Sequence, residues 1–363
     1  MMTPMTPLPI RLLACAALLA LLLARPAIAR PGQLSASGSA GLLFNDNITL
    51  SREDVNFGPG VLAAQDLLGV MRVRAAYRQD GTTLIYTGSR THFFKNTDLG
   101  FIENAVELEE EHLIAKKVLI RGQGQISKVD PDLRVTADVH GSFPFTTSEP
   151  PDRQIAQLVI STPRGSKTEV SLRGLAQGQQ YTNDPLLDSR AWAGQFRVGR
   201  QIDKQWAVAG ELQAVGRDYT NLVGPVPSSL VETHAPNAAL QVSYVPNAHF
   251  GFLAKALRLD QRSNLDAFFL DQRDLSLGAT YVQDKLGSVS LLLQHSNRDF
   301  ALRPVAGGGS QFDRDFLLVL LVNKKVTPRD VATFGYTRDR NRSNDANFDY
   351  SNNIVRLEVS HVF

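Results

Sequence analysis

Cysteine is nearly absent from this 363-residue chain: there is one, Cys15, in the N-terminal segment. A disulfide framework or a thiolate metal site needs several, so neither chemistry is open to the rest of the chain. An excess of one charge is also lacking. Lysine plus arginine total 38 and aspartate plus glutamate 36, a formal charge of +2. A strongly basic nucleic-acid binder is thereby excluded, and no nucleic acid is expected as a partner. Long apolar runs are missing beyond residue 29. The longest, Phe316–Val322, has seven residues, far short of the ~20 that a membrane helix needs. A mean hydropathy of −0.14 is likewise too polar for a bundle of such helices. What remains is a chain with 43 % hydrophobic residues at low net charge, which can bury a core and is not disordered. Length alone would suggest two or three soluble domains of about 150 residues.

The first 29 residues are of another kind. Arg11 precedes the apolar run Leu12–Leu23, and Ala27-Ile28-Ala29 follows. A positive start, an apolar stretch of about a dozen residues and small residues at the −3 and −1 positions form a secretory signal, cut after Ala29. The run is too short to anchor in a bilayer. Cys15 stands near its start, with most of the apolar stretch after it, which is the wrong place for a lipid-acceptor cysteine. Cleavage removes Arg11, Arg25 and no acidic residue, which leaves 36 basic and 36 acidic residues and no cysteine. The chain thus divides into a signal, 1–29, and a single domain, 30–363.

Period-two alternation dominates that domain. In Trp206–Gly216, Trp206, Val208, Leu212 and Ala214 fall on one face and Glu211 and Gln213 on the other. Leu275, Leu277, Ala279 and Tyr281 alternate with Ser276, Gly278 and Thr280. Successive side chains of a strand point to opposite faces, so each segment has one apolar and one polar side. Sixteen such segments stand near 34–44, 66–78, 83–94, 100–112, 117–127, 153–162, 167–180, 189–200, 205–218, 237–245, 249–259, 271–282, 288–297, 315–323, 329–338 and 352–363. Every second connection is short, as in Gln79–Thr82, Gln201–Lys204 and Pro246–Ala248. Those between are mostly long: 45–65, 128–152, 219–236, 298–314 and 339–351. Of the 18 prolines, five lie in or just after the signal. The other 13 fall in or beside connections, where a residue without an N–H breaks no ladder. Short turns at one end and long loops at the other are the layout of a transmembrane β-barrel. The expected fold is all-β: a transmembrane antiparallel up-and-down β-barrel of about 16 strands, roughly 14–18 at the limits. A closed barrel leaves no open sheet edge in lipid. A secreted sandwich or propeller also alternates, but nothing requires its loops to alternate in length.

The last strand carries a further signature. Val355, Leu357, Val359, His361 and the terminal Phe363 share one face, and Arg356, Glu358 and Ser360 the other. A terminal aromatic on an alternating strand resembles the C-terminal signal of Gram-negative outer-membrane barrels, which the barrel-assembly machinery reads. That resemblance implies placement in the cell outer membrane after Sec-type export, among outer-membrane lipids and lipopolysaccharide. Gly41-Leu42-Leu43-Phe44-Asn45-Asp46-Asn47-Ile48 resembles the start of barrels of the exopolysaccharide-export type. The final hairpin, from Tyr336-Thr337-Arg338 through Phe348-Asp349-Tyr350 to Phe363, is similar to that of the surface lipoprotein assembly modifier barrel. These resemblances imply export, with a secreted polymer or a lipoprotein as client.

Alternation assigns to the lumen Arg72, Arg74, Glu103, Glu107, Glu109, Arg121, Glu169, Arg173, Arg197, Glu211, Arg217, Arg356 and Glu358. Both signs are interleaved, so these residues either act on passing solutes or pair across the wall, and they set no preference for cations or anions. Sixteen strands leave room for an aqueous lumen, unless a long loop such as 128–152 folds inward.

Catalytic signals are few. His295-Ser296-Asn297 resembles the His, Ser and Asn set of outer-membrane phospholipases. Adjacent residues of a strand point to opposite faces, however, and no proton relay joins them. The seven histidines show no metal-ligand spacing, so neither a metal nor a cofactor is expected. The acidic stretches Asn45-Asp46-Asn47 and Asp339–Asp349 lack the EF-hand pattern and read as solvated loops. The expected function is a channel or export conduit for small solutes or a secreted polymer. The alternatives are a barrel that assists surface delivery of a lipoprotein or polysaccharide, and an outer-membrane lipid-modifying enzyme.

Overall fold

The computed structural model describes residues 32–46, 55–57, 60–62, 65–95, 100–114, 117–131, 151–163, 165–181, 188–223, 230–263, 269–283, 287–305 and 308–363. The expected signal, 1–29, and the middle of the loop 128–152 lie outside the described residues. β1 (Gln33–Asn45) is followed by a small hairpin, β2 (Val55–Phe57) and β3 (Gly60–Leu62). Next come β4 (Asp66–Gln79), β5 (Thr82–Phe93), β6 (Phe101–Ile114), β7 (Val118–Pro131) and β8 (Asp152–Ser161). β9 (Thr168–Gln180), β10 (Ser189–Gln201), β11 (Trp206–Val223), β12 (Leu230–Tyr244) and β13 (Phe250–Ser263) follow. The last five are β14 (Leu270–Gln283), β15 (Gly287–Pro304), β16 (Ser310–Lys325), β17 (Asp330–Ser343) and β18 (Tyr350–Val362).

β1 and β4–β18 form one closed barrel of sixteen antiparallel strands, each hydrogen-bonded to its neighbours in sequence. β1 shuts the ring, with Ser37 opposite Arg74 of β4 on one side and Val362 of β18 on the other. The N-terminal end of β1 and the C-terminus meet at the short-turn end, where the Phe363 N–H donates to the Ala36 carbonyl at 3.1 Å. That end is built from tight turns. Between β4 and β5, Asp80 and Gly81 both take positive φ, 44° and 90°, as a two-residue type I′ hairpin requires. At the β14–β15 turn Gly287 has φ 123°, and a Cβ there would sit 1.8 Å from the Asn323 carbonyl oxygen, so only glycine fits.

The barrel is apolar on the outside. Met71, Leu172, Leu212, Leu240, Leu275 and Leu357 are all more than half exposed, while few apolar side chains are buried. An exposed apolar belt of this extent is a surface for lipid rather than water. At its turn-side edge the belt carries aromatics: Trp206 stacks on Tyr244 at 4.3 Å, and Phe250 meets Tyr281 at 4.8 Å. Amphipathic rings suit the membrane–water boundary.

All sixteen expected segments are strands, but several run further toward the loops than alternation of hydrophobicity shows. β11 reaches Val223, β12 begins at Leu230, β15 continues to Pro304, β16 begins at Ser310 and β17 ends at Ser343. The stretches 219–236, 298–314 and 339–351, read as loops, are therefore largely paired strand. Above the lipid both faces are polar, so the pattern fades while the ladder persists. Pro236 corrects the reading of the prolines, since it lies inside β12. It stands opposite Ala214 of β11, but the β12–β13 ladder skips from His234 to Asn237. The missing N–H is thus accommodated by a gap in one ladder.

Candidate functional site

Residues directly opposite each other on neighbouring strands share a face, so the register carries the inner face round the ring. β4 places Arg72 and Arg74 there, β6 Glu103, Glu107 and Glu109, and β7 Arg121. β9 adds Glu169 and Arg173, β10 Arg197, β11 Glu211 and Arg217, and β18 Arg356 and Glu358. All thirteen point away from the exposed apolar belt.

Part of this charge is paired. Arg121 bonds Glu111 at 3.0 Å, Arg197 meets Glu169 at 3.3 Å, and the Arg356 Nε donates to Glu358 at 3.0 Å. Lys255 lies 3.8 Å from Glu211, the Gln123 amide donates to Glu107 at 2.7 Å, and Arg173 donates to Gln157. Arg72, Arg74, Arg217 and Glu103 have no ion pair among the described residues. Arg72 and Arg74 are exposed. Sequence reasoning missed Glu111, Lys255, Asp274, Arg298, Asp313, Asp315 and Asp339, which the register also places inside. Alternation counted onward from Glu109 gives Glu111. For Asp313, Asp315 and Asp339 the signal was hidden by strand ends that carry no apolar face.

The inner face differs between its two ends. Around the loop side, polar groups from every sector are buried: Asp66, Ser127, Ser189, Thr233, Gln311 and Asn341 are at most 5 % exposed. They mark a collar of buried polar groups on six of the sixteen strands. Toward the turn side the wall is wetter, with Glu169, Arg173, Arg72 and Arg74 exposed.

His295 and Ser296 fall on opposite faces. His295 stands opposite the outward Phe316, whereas Ser296 is buried inside and accepts a hydrogen bond from the Gln294 amide at 3.2 Å. Among the described residues no group of three or more His, Cys, Asp or Glu side chains is placed to hold a metal. On the last strand Val355, Leu357, Val359, His361 and Phe363 face outward. Leu357 and Val359 are more than half exposed, and His361 bonds Asp330 at 2.7 Å and meets the Phe363 ring edge-on.

A closed sixteen-stranded antiparallel barrel, apolar without and charged within, is a transmembrane β-barrel. No protein-family model matches the chain, and no curated protein sequence matches it. Among solved structures it is similar to Pseudomonas aeruginosa OpdK, determined with vanillate: 10 % identity, TM-score 0.50, covering 91 % of this chain and 98 % of that one. P. aeruginosa OccD3 (OpdP) aligns over 91 % of both chains at 8 % identity and a TM-score of 0.50. An anion-selective porin from Comamonas acidovorans aligns over 93 % of this chain and all of its own at 9 % identity, with a TM-score of 0.46. At these identities the likeness speaks for the fold alone. That fold is a closed transmembrane β-barrel.

Proposed function

We propose that this chain is a passive outer-membrane channel for small polar solutes. The observation that carries the reading is the solvent-exposed, charged inner face of a closed sixteen-stranded barrel, a strand number that leaves an aqueous passage. The burial of polar groups at the loop side favours small solutes over a bulky secreted polymer, because buried side chains are not free to line a wide opening. The thirteen charged residues, Arg72 and Arg74 foremost, are the groups that solutes meet.

In this reading residues 1–29 direct Sec-type export and are cut near Ala29. The outward row Val355, Leu357, Val359, His361 and Phe363 is what the barrel-assembly machinery engages, and the finished domain, 30–363, sits among outer-membrane lipids and lipopolysaccharide. The test is single-channel recording of the purified, refolded protein in a planar bilayer. Stable openings that scale with salt concentration are expected. A correctly folded barrel that stays electrically silent would overturn the proposal. A lipid-modifying activity is tested by His295→Ala, which in the channel reading leaves conductance unchanged because that ring faces outward.

A further inference from the structure

Three neighbouring strands gather acceptor oxygens on the inner face near the loop side. Asp315 of β16 stands directly opposite Asn341 of β17, and Asp339 of β17 directly opposite Asn352 of β18. Asp339 and Asn341 are two apart on one strand, so all four side chains share a face. The Asp315 and Asp339 carboxyl groups lie within hydrogen-bonding reach of each other. The donors around them are taken up by other atoms of the cluster and its surroundings. Arg298 donates to Asp315 Oδ2 at 2.8 Å, and the Tyr350 hydroxyl to Asp339 Oδ2 at 3.3 Å. The Asn341 amide nitrogen donates to the Phe348 carbonyl at 2.6 Å, which settles that its oxygen is the free atom. Asp315 Oδ1, Asp339 Oδ1, Asn341 Oδ1 and Asn352 Oδ1 are each buried with no hydrogen-bond donor among the described residues. Asn341 is 2 % exposed and Asn352 5 %.

Buried acceptors without donors are costly, and two carboxylates side by side more so. A positive charge among them removes both penalties at once. We propose that Asp315, Asp339, Asn341 and Asn352 bind a hard divalent cation of the calcium kind on the inner wall of β16–β18. The ligand set is oxygen only, which suits calcium rather than a metal that prefers imidazole or thiolate. Two carboxylates and two carboxamides meet the need without a third acidic ligand. Arg298 on the far oxygen of Asp315 cancels one of the two negative charges. Asp313, the next acidic group, is held by the Gln311 amide at 3.0 Å. The site is therefore of the weak, extracellular grade, roughly 10⁻⁴–10⁻³ M. Bound there, the cation ties three strands together at the loop-side mouth.

The test uses the full-length protein folded in detergent micelles, stripped with a chelator and titrated with Ca²⁺ by calorimetry. Tb³⁺, excited through Tyr350, gives a second signal. One saturable Ca²⁺ per chain is expected, with Tb³⁺ luminescence that Ca²⁺ displaces. Asp339→Asn supplies an amide donor to the carboxyl cluster, so the barrel stays folded while Ca²⁺ affinity falls by at least about tenfold. Asn341→Ala weakens binding in the same direction. Asp203→Asn, in a turn at the other end, leaves it unchanged. The proposal is overturned if the wild-type protein shows no saturable Ca²⁺, or if Asp339→Asn binds as tightly. The latter result would assign the cluster a shared proton instead. None of these readouts requires an open channel, so a failure here is distinct from a failure of the proposed function.

Discussion

Arg72 and Arg74 make no ion pair among the described residues, although Glu358 and Glu109 of the same inner wall are near enough to act on them through space. Their opposite numbers on β1 are Ser39 and Ser37, side chains too short to reach over a guanidinium and without charge. Arg121, by contrast, is held by Glu111 at 3.0 Å. An exposed pair of like charges on a water-filled passage attracts anions and repels cations within a Debye length, about 8 Å at physiological salt. Replacing Arg72 and Arg74 together by alanine is expected to move the reversal potential in a KCl gradient toward cation preference, with conductance changed by less than about twofold. Glu111→Gln releases Arg121 from its partner and is expected to move the potential the other way. Planar-bilayer recording on the three proteins checks both signs, and equal potentials in all three would show that these side chains do not face the conducting path. Alternation alone puts both arginines on the polar face of their strand. Which of the thirteen charges are free is not legible there, because pairing depends on the shear between strands.

The strand β16 shows what alternation cannot resolve. Phe316–Val322 is apolar at every position, so period two has nothing to mark, and the sequence alone fits a strand buried on both faces or lying in lipid. Register settles it: Leu320 stands opposite Leu291 and the outward Tyr336, while Leu321 stands opposite Ser290 and Gly335 on the inner side. Leu320→Arg places a cation in the lipid belt and is expected to destabilise the barrel by about 2–4 kcal/mol. Leu321→Arg points into the lumen and is expected to cost less than about 1 kcal/mol. Denaturant unfolding of both variants from lipid vesicles measures the difference, and similar losses would mean that the assigned faces are wrong. The same reasoning explains why the strands themselves were legible and their loop-side ends were not. Within the belt one face must be greasy, and the sequence records it. Above the belt, as in Arg338-Asp339-Arg340-Asn341-Arg342, both faces are polar, and only hydrogen bonding to Ser351, Asn352 and Asn353 reveals that the strand continues. Asp339 therefore read as part of a solvated loop, although it sits opposite Asn352 on the inner wall.

For the whole molecule the two edges of the apolar belt are chemically unlike. The turn-side edge is aromatic, with Trp206, Tyr244, Phe250 and Tyr281 in contact. The loop-side edge is basic on one sector. Arg338, Arg340 and Arg342 project outward in a row from β17, and Arg314 of β16 stands directly opposite Arg342. Like charges directly opposite destabilise a sheet, and none of the four has a carboxylate partner among the described residues. On β13 and β14 the outward arginines of this edge are compensated: Arg262 has Asp260 at 2.9 Å, and Arg258 and Arg273 share Asp271 at 3.5 and 3.6 Å. The β16–β17 row lies just above Leu318, Leu320, Tyr336 and Phe334, so a lipid whose acyl chains lie along those side chains brings its headgroup to the arginines. An anionic, phosphate-bearing headgroup such as that of lipopolysaccharide supplies what the row lacks, at about 1 kcal/mol per basic residue. Changing Arg314, Arg338, Arg340 and Arg342 to glutamine is expected to lower the lipopolysaccharide retained through purification, with the barrel still folded. High salt should erase the difference, because these contacts are screened. Binding to zwitterionic vesicles should be the same for both proteins. If the variant keeps as much lipopolysaccharide as the wild type, the row is not its contact, and the mutual repulsion of four arginines would need another counter-charge.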